Sequence, residues 1–229
     1  MADAPAGGSA PGAPPVLLVH GFASSFEHGW RDPGWVDILA DAGREVIGVD
    51  LLGHGGAPKP RDPAAYTDGL ADSVRAVLPP DGRPVDGVGF SLGAVQLLRL
   101  AAQDPSRFSR LVLIGVGGAT FAARDAADAG VAPPPGRVFD QLMDAPRNDR
   151  AALEACLRRP HAPFGPDDLG RVTVPCAVIV SDRDELAGDP RPLVEALPDA
   201  RCTVLRGVDH FQTPREFACI DAALAFLGV

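Results

Sequence analysis

The residue of this chain whose sequence neighbourhood most strongly indicates a reactive group is a serine with a glycine two positions away on each side. Ser91 lies in the segment Gly89-Phe90-Ser91-Leu92-Gly93, where a short apolar run ends and a helical pattern begins. A serine at a tight strand-to-helix turn has a strained backbone, and glycines two residues away on each side leave out the Cβ atoms that would collide there. The segment therefore predicts a nucleophile elbow with Ser91 as the nucleophile. The alternative interpretation, a serine that caps a helix, does not need the two glycines.

Polar residues that suit a serine nucleophile follow other apolar runs. His20 ends the first run, Asp182 and Asp184 follow the fifth, and His210 follows the sixth. Functional groups in open α/β sheets gather outside the carboxyl ends of the strands, so we expect these side chains to meet. The serine needs a base, and the imidazole needs a carboxylate that fixes its tautomer. We predict His210 as the base and Asp184 as the carboxylate, with Asp182 as the alternative, and interpret His20 as a loop-stabilising residue.

An alternation of apolar runs and helical patterns predicts the scaffold that positions these groups. Strands separated by helices favour a mainly parallel sheet with helices on both faces. The six predicted strands are 16–19, 45–49, 85–90, 111–115, 177–180 and 202–205. Apolar residues recur at three-to-four spacing in the predicted helices, which are 35–40, 70–78, 92–102, 193–197 and 217–227.

The segment 117–171 departs from this alternation. Strand signals are absent from it, and a run of three prolines at 133–135 interrupts its weaker helical patterns near 138–143 and 151–157. We expect this insertion to form a small helical cap at the edge of the sheet.

Length and charge limit the class of protein and its partners. The 229 residues suit one domain, which we place at 16–229 after a flexible tail at 1–15. The net charge of -9 disfavours nucleic acid and membrane partners, because a phosphate-binding face needs clustered Lys and Arg. We therefore expect a small-molecule substrate that is neutral or uncharged. The tail lacks the pattern of a signal peptide, and no apolar run is long enough for a membrane helix, so we predict a cytoplasmic location. The sequence carries no signal for an oligomeric state.

The remaining candidate groups have simpler interpretations. The four cysteines lack metal-ligand spacing and are interpreted as buried free thiols, so we expect no metal and no cofactor. Asp50 and Asp86 are carboxylates that could serve acid-base chemistry, but their positions near turns favour a role as turn formers.

Together these motifs resemble the α/β-hydrolase family over nearly the whole chain. The resemblance is carried by His20-Gly21, by Asp50-Leu51-Leu52-Gly53-His54-Gly55, and by Ser91, Asp184 and His210. It implies the α/β-hydrolase fold, with Ser91 attacking a carbonyl carbon, His210 acting as base and then acid, and Asp184 orienting the imidazole. It also implies an oxyanion hole formed by the backbone amides of Phe22 and Leu92.

Three positions depart from the family pattern. The antiparallel strands that usually open the fold have no counterpart before Val16, so we predict a trimmed sheet of six strands. Phe90 stands before the serine, where related esterases often have histidine. Ser181 stands three residues before Asp184, where glycine is usual. None of these changes removes a reacting group.

The resemblance implies a metal-free serine hydrolase that cleaves small carboxylic esters through an acyl-enzyme on Ser91, with thioesters and lactones as related substrates. The alternatives are hydrolysis of a carbon–carbon bond, cofactor-free perhydrolysis, and a non-catalytic ligand-binding receptor of the same fold. Relatives that cleave epoxides or haloalkanes have aspartate at the elbow, so the serine disfavours those reactions. We expect an apolar substrate pocket lined by Phe22, Leu92, Phe121, Phe139, Met143 and Phe211.

Overall fold

Six parallel strands form the sheet that carries the site. The computed structural model describes residues 12–118, 136–160 and 165–229. The strand order is β2-β1-β3-β4-β5-β6, and every neighbouring pair is parallel. The strands are β1 (Val16–Val19), β2 (Val46–Val49), β3 (Val85–Phe90), β4 (Phe108–Ile114), β5 (Cys176–Ser181) and β6 (Ala200–Leu205). The six predicted strands are confirmed, although β4 and β6 begin earlier than their apolar runs indicate.

Alternate side chains of the central strands enter two separate cores, one on each face of the sheet. In β1, Leu17 and Val19 point into one core, whereas Val16 and Leu18 point into the other. All four side chains are fully buried. A strand buried on both faces has no polar positions, which explains the continuous apolar run in the sequence.

Eight α-helices among the described residues surround the sheet. They are α1 (Trp35–Asp41), α2 (Tyr66–Arg75), α3 (Leu92–Gln103), α4 (Arg137–Met143), α5 (Arg150–Leu157), α6 (Pro166–Leu169), α7 (Arg191–Ala196) and α8 (Phe217–Leu227). Helices α1 and α8 cover one face, and α2, α3 and α7 cover the other. No helix in these ranges is long and apolar enough to cross a membrane.

Part of the insertion 117–171 packs against the segment that follows β1. Met143 at the end of α4 and Leu153 in α5 form a small apolar cluster with Ala23, which follows β1. Asn148, between the two helices, donates from Nδ2 to the Ala23 carbonyl at 3.0 Å. Other residues of the insertion, Ala155 and Cys156 in α5 and Leu169 in α6, join the main core of the sheet. The insertion therefore contributes to the core as well as to the cap.

A buried ion cluster stabilises the amino-terminal edge of the sheet and corrects one interpretation. Asp86 is not a turn former, because it is the second residue of β3 and is 1% exposed. Its Oδ2 accepts from Arg44 at 2.5 Å, and the Arg110 Nε lies 3.3 Å from its Oδ1. Arg110 also donates to the Phe226 carbonyl at 2.9 Å, which connects α8 to β4. The carboxylate therefore serves the fold at the edge opposite the strand ends that carry the site.

Candidate active site

Ser91 lies at a strained turn between β3 and α3. Its φ of +49° and ψ of −113° are values that side-chain-bearing residues seldom adopt. A Cβ on Gly89 would lie 2.7 Å from the Ala94 backbone, and one on Gly93 would collide with the carbonyl oxygens of Val19 and His20. The two glycines are therefore needed because α3 begins close against β3 and the end of β1.

Hydrogen bonds link Ser91, His210 and Asp184 in a continuous chain. His210 Nδ1 lies 2.9 and 2.8 Å from the two oxygens of Asp184, and its Nε2 lies 3.0 Å from the Ser91 Oγ. Since a carboxylate only accepts, Nδ1 carries the proton and Nε2 is free to accept from the serine hydroxyl. His210 and Asp184 are each 5% exposed, whereas Ser91 is half-buried. The geometry suits proton transfer from Oγ to Nε2.

The structure separates the two candidate carboxylates. Asp184 faces His210 and also accepts from the Ala187 backbone N–H at 2.8 Å. Asp182 is exposed, and its Oδ1 accepts from the Gly207 backbone N–H at 2.7 Å, in the turn that follows β6. Of the two, only Asp184 is placed to orient the imidazole. The catalytic roles themselves stay predictions.

Gly115 is a positioning residue that sequence reasoning missed. It follows β4 directly with a φ of +67°, and a Cβ there would lie 2.8 Å from the Phe90 ring and 3.0 Å from His210 Cε1. The Phe90 and His210 ring centroids are 4.8 Å apart, and Phe211 contacts the imidazole edge-on at 5.1 Å. The glycine thus leaves the space that the imidazole occupies. The available signal was a glycine directly after a buried strand.

The loop after β1 presents the first predicted oxyanion donor. Within the described residues, neither the Phe22 N–H nor the Leu92 N–H donates to a protein acceptor. His20 accepts at Nε2 from the Leu51 N–H at 3.1 Å, so its Nδ1 donates to the Gly21 carbonyl at 2.7 Å. Carbonyl and N–H groups of one trans peptide point in opposite directions, so this bond turns the Phe22 N–H away from His20. Burial lowers the pKa of His20, which keeps the ring neutral for this role.

His54 supports the same loop from beneath, a role that the sequence did not reveal. Its side chain is 1% exposed, and its ring lies 5.4 Å from His20 and 5.6 Å from Phe22, measured between ring centroids. Nδ1 donates to the Leu52 carbonyl at 2.9 Å. Burial and the neighbouring His20 lower the pKa of His54 to about 3, so the ring is neutral near pH 7.

A cavity of about 120 Å³ adjoins these groups. Phe22 and Phe211, two of the predicted pocket residues, line it together with Gly21, Trp30 and Phe90. Phe139 contacts Phe22 at 5.7 Å between ring centroids, and Met143 is buried against Ala23 and Leu153. Leu92 is half-buried and contacts the main core. Phe121 lies outside the described residues, so the composition of the pocket stays a prediction.

The cysteines offer no competing nucleophile. Cys156, Cys176 and Cys219 are buried and free, and burial raises the pKa of the Cys176 and Cys219 thiols to about 12. Cys202 corrects the expectation of burial, because it is exposed on the edge strand β6. Burial on one side of the strand still raises its pKa.

A strained serine after the third strand, a histidine after the last and a carboxylate between them define a protein of the α/β-hydrolase class. The family model described as "alpha/beta hydrolase fold" matches residues 14–157. The chain therefore belongs to the α/β-hydrolase fold family.

This chain aligns with only part of the length of its curated relatives. An uncharacterized protein of Mycobacterium tuberculosis is 36% identical over 112 residues, which are 47% of this chain and 30% of that protein. A pimeloyl-[acyl-carrier protein] methyl ester esterase of Neisseria meningitidis is 32% identical over 188 residues, which are 81% of this chain and 65% of the esterase. The chain thus spans less than two thirds of the length of both relatives.

A solved structure from the archaeon Nitrososphaera gargenis, described with carboxylesterases, shares the fold. It has a TM-score of 0.74 and 18% sequence identity, and the alignment covers 96% of this chain and 92% of that chain. At this identity the likeness concerns the fold alone.

Proposed function

We propose that the protein is a serine hydrolase that cleaves small carboxylic esters through an acyl-enzyme on Ser91. The observation that carries the proposal is the continuous hydrogen-bonded chain from the Ser91 Oγ through His210 to Asp184. The strained backbone of Ser91 adds support, because strain of this kind is retained where it serves a mechanism. A relative that is named a methyl ester esterase makes an ester the first substrate class to test.

Acylation begins when His210 Nε2 takes the proton of Ser91 Oγ as the oxygen attacks the ester carbonyl. The new Oγ–C bond pushes the carbonyl electron pair onto oxygen, and the N–H groups of Phe22 and Leu92 stabilise the resulting oxyanion. Asp184 stabilises the imidazolium that forms. When the tetrahedral intermediate collapses, the C–O bond to the alcohol breaks and Nε2–H donates its proton to the leaving oxygen.

Deacylation repeats these steps with water in place of Ser91. His210 Nε2 takes a proton from water, the hydroxide oxygen attacks the acyl carbon, and the intermediate releases the carboxylic acid. The proton on Nε2 returns to Ser91 Oγ, which restores the starting state. Thioesters and lactones would follow the same sequence with sulfur or an internal oxygen as leaving group.

The test of this proposal is the substitution Ser91→Ala. We expect p-nitrophenyl acetate and butyrate to be hydrolysed with many turnovers by the unmodified protein, and kcat/KM to fall by about 10³-fold or more in the variant. A fluorophosphonate probe should label the unmodified protein and not the variant. Ser109→Ala is the matched control, because Ser109 is also half-buried but lies at the start of β4. Labelling without turnover would instead support a ligand-binding receptor and overturn the hydrolase proposal.

A further inference from the structure

The cavity beside Ser91 has a cationic rim and an apolar floor. Its rim includes His28, Arg147 and Arg215, whereas its floor includes Phe22, Trp30 and Phe90. None of the described residues that line it is acidic, although the chain has 30 acidic residues against 21 basic ones. A concentration of positive charge at one cavity of an acidic protein requires a physical explanation.

The two arginines of the rim come from separate elements and converge on His28. Arg147 lies between α4 and α5 in the cap, and Arg215 ends the short helical turn Thr213–Arg215 after His210. Arg215 Nη2 donates to the His28 carbonyl at 3.1 Å. Burial lowers the pKa of His28, and the charges of both arginines lower it further, so the ring adds no charge near pH 7.

Neither guanidinium at the rim forms an ion pair with a carboxylate of the described residues. Arg150, only three positions after Arg147, shows the opposite arrangement on the outer surface of the cap. It pairs with Asp140 at 2.9 Å, Asp144 at 2.6 Å and Glu154 at 2.8 Å. Arg150 is thus neutralised by three carboxylates, whereas Arg147 has no carboxylate partner among the described residues.

The cavity lies next to the predicted reacting groups, because Phe90 and Phe211 line it and contact the His210 ring at 4.8 and 5.1 Å between ring centroids. Phe90 precedes Ser91, Phe211 follows His210, and Gly21 and Phe22 form the loop that carries an oxyanion donor, and all four residues line the cavity. A substrate that extends from Ser91 into this cavity would place a group between Arg147 and Arg215.

We propose that this cavity binds an anionic group of the substrate, a carboxylate or a phosphate, between Arg147 and Arg215. The proposal rests on the hydrolase function proposed above and narrows it to esters that carry a negative charge remote from the scissile carbonyl. The aromatic floor suits the apolar chain between the two groups, and guanidinium groups bind carboxylate and phosphate oxygens through paired N–H donors.

The kinetic test compares acidic and neutral esters of matched length. The substrates are monomethyl esters of straight-chain dicarboxylic acids, methyl esters of ω-phosphonoalkanoic acids, and methyl esters of unbranched monocarboxylic acids. We expect kcat/KM to be higher for an acidic ester than for its neutral match, so that the ratio of the acidic to the neutral kcat/KM exceeds one. Arg147→Gln and Arg215→Gln should each lower this ratio about ten-fold. Arg201→Gln on the edge strand β6 is the matched control and should leave the ratio unchanged. A ratio at or below one, or one that neither substitution lowers, overturns the proposal.

A binding measurement separates failure of the subsite from failure of the hydrolase function. Trp30 lines the cavity. The other tryptophan of the chain, Trp35, contacts Trp30 at 5.2 Å between ring centroids. In Ser91→Ala, we expect adipate and inorganic phosphate to change tryptophan fluorescence with saturation, and the double substitution Arg147→Gln, Arg215→Gln to weaken that binding at least ten-fold. The stronger ligand of the two identifies the anion. Binding without ester hydrolysis supports the subsite and overturns only the hydrolase function, whereas hydrolysis of neutral esters without anion binding overturns only the subsite.

Discussion

Asp182 and Asp184 are only two residues apart, yet one carboxylate faces the imidazole and the other faces a turn. Both oxygens of Asp184 lie within hydrogen-bond distance of His210 Nδ1, and the carboxylate also accepts from the Ala187 N–H. Asp182 accepts from the Gly207 N–H on the exposed side of the same loop. Asp184 is buried and Asp182 is exposed, so we expect their chemical roles to differ despite their proximity.

We expect Asp184→Asn to lower kcat by about 10⁴-fold, because an amide in this position can donate to Nδ1 and so favours the wrong tautomer of His210. Asp182→Asn is the matched control. It weakens one exposed turn bond and should change kcat by less than about two-fold, with a loss of stability near 1 kcal/mol. Steady-state kinetics with p-nitrophenyl butyrate and urea unfolding of both variants measure these effects. A larger loss of turnover in Asp182→Asn would reassign the orienting carboxylate.

The carboxyl end of β4 positions His210 without contributing a reacting group. Gly115 follows this strand directly with a left-handed backbone, and its lack of a side chain leaves room for the imidazole and for the Phe90 ring. Ser91 depends on the same strand, because its N–H donates to the Ile114 carbonyl at 2.8 Å. The end of β4 therefore contacts the turn at Ser91 and also borders the space that the His210 imidazole occupies.

The substitution Gly115→Ala should lower kcat at least about ten-fold with a smaller change in KM, because the added methyl group displaces His210 from Ser91. Gly82→Ala is the matched control, since Gly82 has a φ of +80° but no atom within 4 Å of an added Cβ. Both variants should lose about 1 kcal/mol or more of stability from backbone strain. Equal kcat values in the two variants would show that the contact with His210 has no bearing on turnover.

The strands and the serine turn could be predicted because each is visible in the sequence as a short local pattern. Buried parallel strands are continuous apolar runs, and the glycines around Ser91 are needed by contacts within a few residues. The choice between Asp182 and Asp184 could not be settled locally, because it depends on which side of β5 the loop after β6 approaches. Gly115 and His54 were missed for the same reason, since their partners come from distant parts of the chain.

At the scale of the whole molecule, the two edges of the sheet bury polar groups for different purposes. The amino-terminal edge buries Asp86 between Arg44 and Arg110, where each charge has an opposite partner. The carboxyl-terminal edge buries His20 and His54 as neutral rings that support the loop after β1, where the Phe22 N–H is the predicted oxyanion donor. Neutral burial makes the second edge sensitive to acid, because burial disfavours the charged form of both rings although the Asp50 Oδ1 lies 3.8 Å from the His20 Nε2.

We expect the free energy of unfolding to fall as the pH drops below about 6.5, because the unfolded chain protonates its histidines there while folded His54 has a pKa of about 3. This stabilising contribution is complete above pH 6.5 and is lost progressively toward pH 3. Burial also lowers the pKa of His20, so both rings act in the same direction. His54 contributes a slope of up to about 1.4 kcal/mol per pH unit within that range.

The substitution His54→Gln isolates one of these contributions, because an amide can still donate to the Leu52 carbonyl but does not titrate. Urea unfolding at pH 7, 6 and 5 should show that the variant loses less stability between pH 6 and pH 5 than the unmodified protein, by about 1 kcal/mol. Loss of the ring contacts lowers the stability of the variant at every pH and therefore cancels from the comparison of slopes. Identical slopes in the two proteins would mean that His54 binds protons equally well in the folded and unfolded states, and that its burial imposes no acid sensitivity on the oxyanion loop.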